Sequence, residues 1–143
     1  VLAGHPAVAL RAAVGRPDAY AGEVPVAYVQ LHLGAQAGEA ELLAYASQHI
    51  SERAAVPKAL TILPALPVTA VGKIFKPALS LREIESVVRE EAAQVGATLT
   101  QLTVEQDPKL GMVARYQIEG DDTALAAALS AALGRHIFRS EPV

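Results

Sequence analysis

The sequence predicts an α+β protein: a small mixed sheet packed with helices over residues 1–79, followed by a helix–hairpin–helix α+β extension over residues 80–143. Short apolar runs in the first part are separated by one stretch with helical spacing, the pattern of strands packed with a helix. A Ser-x-x-Glu sequence at Ser80-Leu81-Arg82-Glu83 opens an amphipathic run of helical period in the second part. Composition changes at the same place. Residues 1–79 carry six Lys/Arg against five Asp/Glu, a balance of +1, and residues 80–143 carry six against ten, a balance of −4. Seven of the nine prolines precede Ser80, so the boundary is drawn between Leu79 and Leu81.

Val8 to Val14 and Val24 to Leu33 read as buried strands, with Gly15-Arg16-Pro17-Asp18 through Gly22-Glu23 as the connection. That connection is short enough for antiparallel neighbours. A helix is expected from Glu39 to Arg53, where Leu42, Leu43, Ala46, His49 and Ile50 share a face and Pro57 forbids continuation. Leu60 to Leu63 reads as a strand leading into Leu66-Pro67-Val68-Thr69-Ala70-Val71-Gly72-Lys73, with Lys73 to Lys76 pairing back before Pro77 interrupts. In the second part, Leu81, Ile84, Val88 and Val95 form the stripe of a helix opened by Ser80 and stopped by Gly96. Leu99 to Glu105 and Met112 to Glu119 read as a hairpin around Asp107-Pro108-Lys109-Leu110-Gly111. A last helix follows Asp121-Asp122 with Leu125, Leu129 and Leu133 on its face.

Composition excludes several functions. A net charge of −3, with no basic stripe or aromatic platform, argues against a nucleic-acid partner. The absence of cysteine rules out disulfides and thiolate metal sites and agrees with a reducing cytoplasm. No apolar run approaches the ~20 residues that span a bilayer, so no membrane span is expected. The chain opens at Val1 without an initiator methionine, as an excised piece of a longer protein would.

Of the side chains that could carry chemistry, Lys73 stands out. Pro67 restricts its own φ and that of Leu66, and Gly72 permits a tight bend from which the lysine projects. A projecting ammonium can reach a phosphate or a carboxylate, although a lysine beside a glycine is often only a solvated turn. A phosphate loop is excluded, because Pro67 stands where the first glycine belongs and Ile74 where Ser or Thr would hold magnesium. His5, His32, His49 and His136 include no i, i+4 pair and no Glu-x-x-His, so no metal site is expected. The acid pairs Glu83/Glu85, Glu90/Glu91 and Asp121/Asp122 fall in helices or at their starts and read as structural.

Taken in order, His5-Pro6-Ala7-Val8, Gly15-Arg16-Pro17-Asp18, Gly22-Glu23-Val24-Pro25-Val26-Ala27-Tyr28-Val29, Pro57-Lys58 and Leu66-Pro67-x-Thr69-x-x-Gly72-Lys73-Ile74-x-Lys76 carry a resemblance. Residues 1 to about 80 resemble the mobile C-terminal domain of the adenylate-forming acyl-CoA synthetases, the bacterial fatty-acyl-CoA synthetases most of all. The resemblance implies a two-step ligase. A carboxylic acid, expected to be a fatty acid, and ATP give an acyl-adenylate and pyrophosphate, and the thiol of CoA then displaces AMP. It implies ATP, CoA and Mg2+ as cofactors of the full-length enzyme, none of them held tightly by this fragment. It implies Lys73 as the catalytic lysine, contacting the acid's carboxylate and the α-phosphate, with Thr69 and Gly72 shaping its loop. The Gly15 to Glu23 connection would face the active site for the thioester step.

Other implications concern partners. The large N-terminal domain of the same enzyme would supply the ATP and acyl sites, and its hinge would precede Val1. The fragment alone would be inactive. The same motif is the context in which a protein acetyltransferase silences bacterial members by modifying the lysine that corresponds to Lys73. The 70 residues after Lys73 depart from the family pattern, and residues 80–143 have no known counterpart in it. An alternative therefore stays open: a stand-alone protein-binding or regulatory module that uses the same fold and associates with itself or a partner through residues 80–143.

Overall fold

A computed structural model describes residues 4–143, except the side chain of Ala54. The elements run β1 (Val8–Asp18), β2 (Gly22–Leu31), α1 (Glu39–His49), a 3-10 turn (Arg53–Ala55), β3 (Leu60–Ile62), α2 (Lys76–Val95), β4 (Leu99–Asp107), β5 (Gly111–Ile118), α3 (Thr123–Leu133) and β6 (Arg139–Pro142). They form two three-stranded sheets, ordered β1-β2-β3 and β4-β5-β6. The chain divides into two compact units. One holds the residues up to Gly15 together with Val24–Leu79, and the other holds Arg16–Glu23 and Ser80–Val143.

In the first unit, β2 pairs in parallel with β3, with Ala27 opposite Leu60 and Val29 opposite Ile62. A parallel pair requires a crossover, and α1 supplies it. Ala27 and Val29 face a core with Val8, Leu42, Ala46 and Leu60, while Val26 and Tyr28 face another with Ala12, Val14, Leu66 and Leu79. Burial on both faces explains why Val26-Ala27-Tyr28-Val29 is a continuous apolar run rather than an alternating one.

In the second unit, β4 and β5 are antiparallel and β5 and β6 parallel. Ile84, Val88 and Ala92 of α2 and Leu129 and Leu133 of α3 pack with Ala114, Tyr116 and Phe138. Leu102 and Val104 of β4 join that core, whereas Thr103 and Glu105 stay exposed, the period-two signature of a sheet covered on one side. Gly96 follows α2 at φ +80°, the left-handed stop that suits glycine, and Asp122 caps α3 by accepting a 3.0 Å hydrogen bond from the Leu125 N–H.

The fold corrects several sequence expectations. The Gly15 to Glu23 connection is mostly strand: β1 runs to Asp18, β2 begins at Gly22, and only residues 19–21 turn. Pro17 is tolerated because β1 is an edge strand, where a missing N–H breaks no ladder bond on the open side. Helix α1 ends at His49 rather than Arg53, and Ile50 leaves it at φ −100°, ψ 116°, before Pro57 can act. The imidazole of His49 is exposed, with Nδ1 2.8 Å from the Tyr45 carbonyl, instead of lying on the apolar face. Helix α2 begins at Lys76, not at Ser80. Pro77 sits in its first turn, where its absent N–H would have had no partner, so it starts the helix instead of interrupting the chain. Ser80 and Glu83 consequently lie inside the helix and form no capping box. Strand β6 is an addition, because Arg139-Ser140-Glu141-Pro142 has no apolar alternation from which a strand could be read.

Candidate functional site

Lys73 lies on the loop between β3 and α2. An isolated antiparallel bridge between Val68 and Ile74 closes that loop. Inside it, the Gly72 N–H donates to the Thr69 carbonyl (2.9 Å), the Thr69 N–H donates to the Lys73 carbonyl (2.7 Å), and the Lys73 N–H donates to Thr69 Oγ1 (3.3 Å). The Phe75 N–H donates to the Pro67 carbonyl at 2.8 Å. Gly72 takes φ +83°, a conformation that side chains oppose, and space for a Cβ is open around it. Backbone bonds therefore fix the base of Lys73 while its side chain is exposed, with no ion pair to another described residue. Val71 and Phe75 flank it as exposed apolar groups. The arrangement is a fixed stem with a free ammonium, suited to contacting an anion presented from outside the loop.

Within the same unit, Arg11 and Lys76 line a shallow cavity of about 360 Å³ whose apolar wall includes Ala12, Ala27, Ile50 and Pro57. Lys73 is not part of that lining.

The histidines are dispersed. His5 Nδ1 accepts from the Ala7 N–H at 3.1 Å, and its ring meets Tyr45 edge-on at 4.9 Å. His32 follows β2, and His49 ends α1. His136 Nε2 lies 3.3 Å from Glu91 Oε1, with the ring stacked on Phe138. Among the described residues no three His, Asp or Glu side chains converge to hold a metal ion. Nor is any helix of these residues long and apolar enough to cross a membrane.

Each acid pair has a local use. Glu85 pairs with Arg89 one turn along α2, Glu91 faces Arg135 and His136, and Asp122 is the cap of α3. Glu83 and Glu90 both bind Arg16. Sequence reasoning missed that last cluster, which joins the tip of the β1–β2 hairpin to α2 within the second unit. Its one sequence signal is the spacing of Glu83, Ser86 and Glu90 on a single helical stripe.

The small sheet with a parallel crossover, followed by the glycine-bent lysine loop, has the architecture of a small domain of adenylate-forming enzymes. A Brucella canis acyl-CoA synthetase structure superposes with a TM-score of 0.53 at 33% identity over 59% of this chain and 16% of its own. A Mycobacterium tuberculosis fatty acyl CoA synthetase does so with 0.53 at 28% identity over 60% of this chain and 17% of its own. Residues 1–73 match the AMP-binding enzyme C-terminal domain, and the chain belongs to that family.

Among curated relatives, the marinolic acid–CoA ligase of Pseudoalteromonas sp. (strain SANK 73390) is 48% identical over 98 residues, 68% of this chain and 15% of the relative. The long-chain-fatty-acid–CoA ligase of Bacillus subtilis (strain 168) is 40% identical over 82 residues, 57% of this chain and 14% of the relative. The chain thus spans about one seventh of the length of these relatives. The 98-residue match is longer than residues 1–79 can provide, so similarity to that ligase reaches past Ser80.

Proposed function

We propose that this chain is the lysine-bearing portion of an ATP-dependent acid–thiol ligase and works with a large domain that holds the ATP and acyl sites. The observation that carries this reading is Lys73: an exposed ammonium, unpaired among the described residues, on a loop held by Thr69 and Gly72 in a member of the AMP-binding enzyme C-terminal domain family.

In the first half-reaction an acid's carboxylate attacks the α-phosphate of ATP, bringing two anions together. The Lys73 ammonium offsets that repulsion and stabilises charge developing at phosphorus; it is not a nucleophile. Its long stem lets it withdraw before the acceptor thiol of CoA takes the acyl group. Thr69 and Gly72 act by fixing the loop. ATP and Mg2+ would be bound outside this chain, and the acid, of the fatty-acyl class by the names of relatives, would be measured by the large domain.

In the full-length enzyme, Lys73→Ala is expected to lower adenylate formation, read as pyrophosphate exchange, by about 100- to 1000-fold, the loss typical of a removed charge-stabilising group. Thioester formation from supplied acyl-adenylate should survive. Normal rates in both half-reactions would overturn the assigned role.

Acetylation of Lys73 would remove the same charge, making a protein acetyltransferase a regulatory partner. Intact-mass analysis of the enzyme incubated with an acetyltransferase and acetyl-CoA, alongside Lys73→Arg, tests this. A mass gain that the variant lacks supports it, and equal modification of both proteins rejects it.

A further inference from the structure

The cavity of about 360 Å³ in the first unit joins two features that packing alone does not explain. The first is that it is open at all. Close packing normally fills such space, yet alanines from β1, β2 and the 3-10 turn leave it empty of side chains, with Ile50 and Pro57 completing an apolar lining. Its volume lies at the lower end of the range of about 300–1,000 Å³ in which small molecules are held.

The second feature is a pair of cations in the same lining. Arg11 interrupts the otherwise apolar run from Val8 to Val14, and Lys76 opens α2. Both residues are exposed, and neither forms an ion pair with another described residue. In the second unit, by contrast, Arg16, Arg89, Arg115, Arg135 and Arg139 all face carboxylates. The first unit carries five Lys/Arg against three Asp/Glu, so its own acids are too few to offset its cations. Two like charges beside one apolar surface repel each other, and an entering anion removes that repulsion. The arginine fork can grip an oxyanion with two parallel bonds, and the lysine adds a charge on a flexible stem.

We propose that this cavity binds a small amphipathic anion: a carboxylate or phosphate ester whose head is held by Arg11 and Lys76 and whose short apolar body lies against Ala12, Ala27, Ile50 and Pro57. Lys73 contributes nothing to the lining, and the inference does not depend on the ligase reading. Neither outcome of its test alters the role proposed for Lys73.

The test titrates the 143-residue chain with butanoate, hexanoate, hexyl phosphate, hexylammonium and hexanol, followed by proton–nitrogen correlation spectra. The anions should shift the signals of the cavity residues, and hexanoate should bind about tenfold more tightly than butanoate because it buries two more methylenes. The tighter of hexanoate and hexyl phosphate names the head group. Hexylammonium and hexanol share the body without the negative charge and should bind about tenfold more weakly. Arg11→Gln and Lys76→Gln should each weaken hexanoate by about two- to fivefold, as suits exposed charges, and the double variant by about tenfold. Ala55→Leu fills the cavity from an exposed position without touching a charge, and it should weaken binding by about fivefold or more. The spectra also report whether each variant is folded, and the comparison among ligands in the wild type needs no variant. No shift with any of the anions, equal affinity for hexanol or hexylammonium, or unchanged hexanoate affinity in the double variant overturns the proposal. Unchanged affinity in Ala55→Leu does so too, since attraction to scattered surface cations would not sense the cavity.

Discussion

At Gly72, φ +83° is compatible with glycine and strained for other residues, and open space around a Cβ makes the cost conformational rather than steric. Gly72→Ala is expected to destabilise the fold by about 1 kcal/mol, read as a lower midpoint in chemical denaturation. Asp107 makes a second residue-level prediction. The N–H groups of Lys109 and then Leu110 hold its carboxyl below the ordinary aspartate range, with Arg115 adding to the effect. A carboxylate with a lower pKa folded than unfolded contributes its full stability above the unfolded value, near pH 4, and loses it as pH falls through the folded value. The Tm of Asp107→Asn should therefore lie below wild type at pH 6, and the gap should close on acidification below about pH 4. A gap independent of pH would refute the linkage. The lysine itself was legible in the sequence because Gly72 and Pro67 punctuate it; Arg16 was not, because its acceptors lie 67 to 74 positions away and no local pattern couples them.

At the level of elements, the legible parts were those with local chemistry. The Asp107 turn, the Gly96 stop and the Asp122 cap each depend on residues within one turn, and each is found where the sequence puts it. Asp122→Ala should cost about 1 kcal/mol by leaving the Leu125 N–H without its acceptor, measurable as a fall in Tm. The illegible parts depend on tertiary partners. Arg16 and Pro17 extend β1 because a neighbouring strand is available, and β6 is a strand because β5 offers an edge to three polar residues and a proline. The start of α2 was misplaced for a different reason: Pro77 both breaks and begins helices, and only the position of the preceding chain decides which.

On the scale of the whole molecule, α2 passes from one unit to the other between Leu79 and Ser80 without interruption. A chain ending at Leu79 would keep four residues of that helix, too few to be helical alone, although Leu79 is 2% exposed in the core with Val26 and Tyr28. Such a truncation should unfold at a lower temperature in calorimetry than a chain ending at Val95, which keeps the helix complete. Equal midpoints would mean that Leu79 does not need its helix. The composition change near Ser80 is visible in the sequence, but the transfer of residues 16–23 to the second unit is not, since strand patterning carries no record of where a hairpin's end is received.

The Arg16 cluster dictates an order of events. Its bonds to Glu83, Ser86 and Glu90 close loops of 67, 70 and 74 residues, whereas β2 and β3 meet across a separation about half as long. Distant contacts form late, because the chain loses more freedom before they yield anything in return. During folding, and on a ribosome before Glu90 has been made, the two strands can be paired while the turn between them still lacks its anchor.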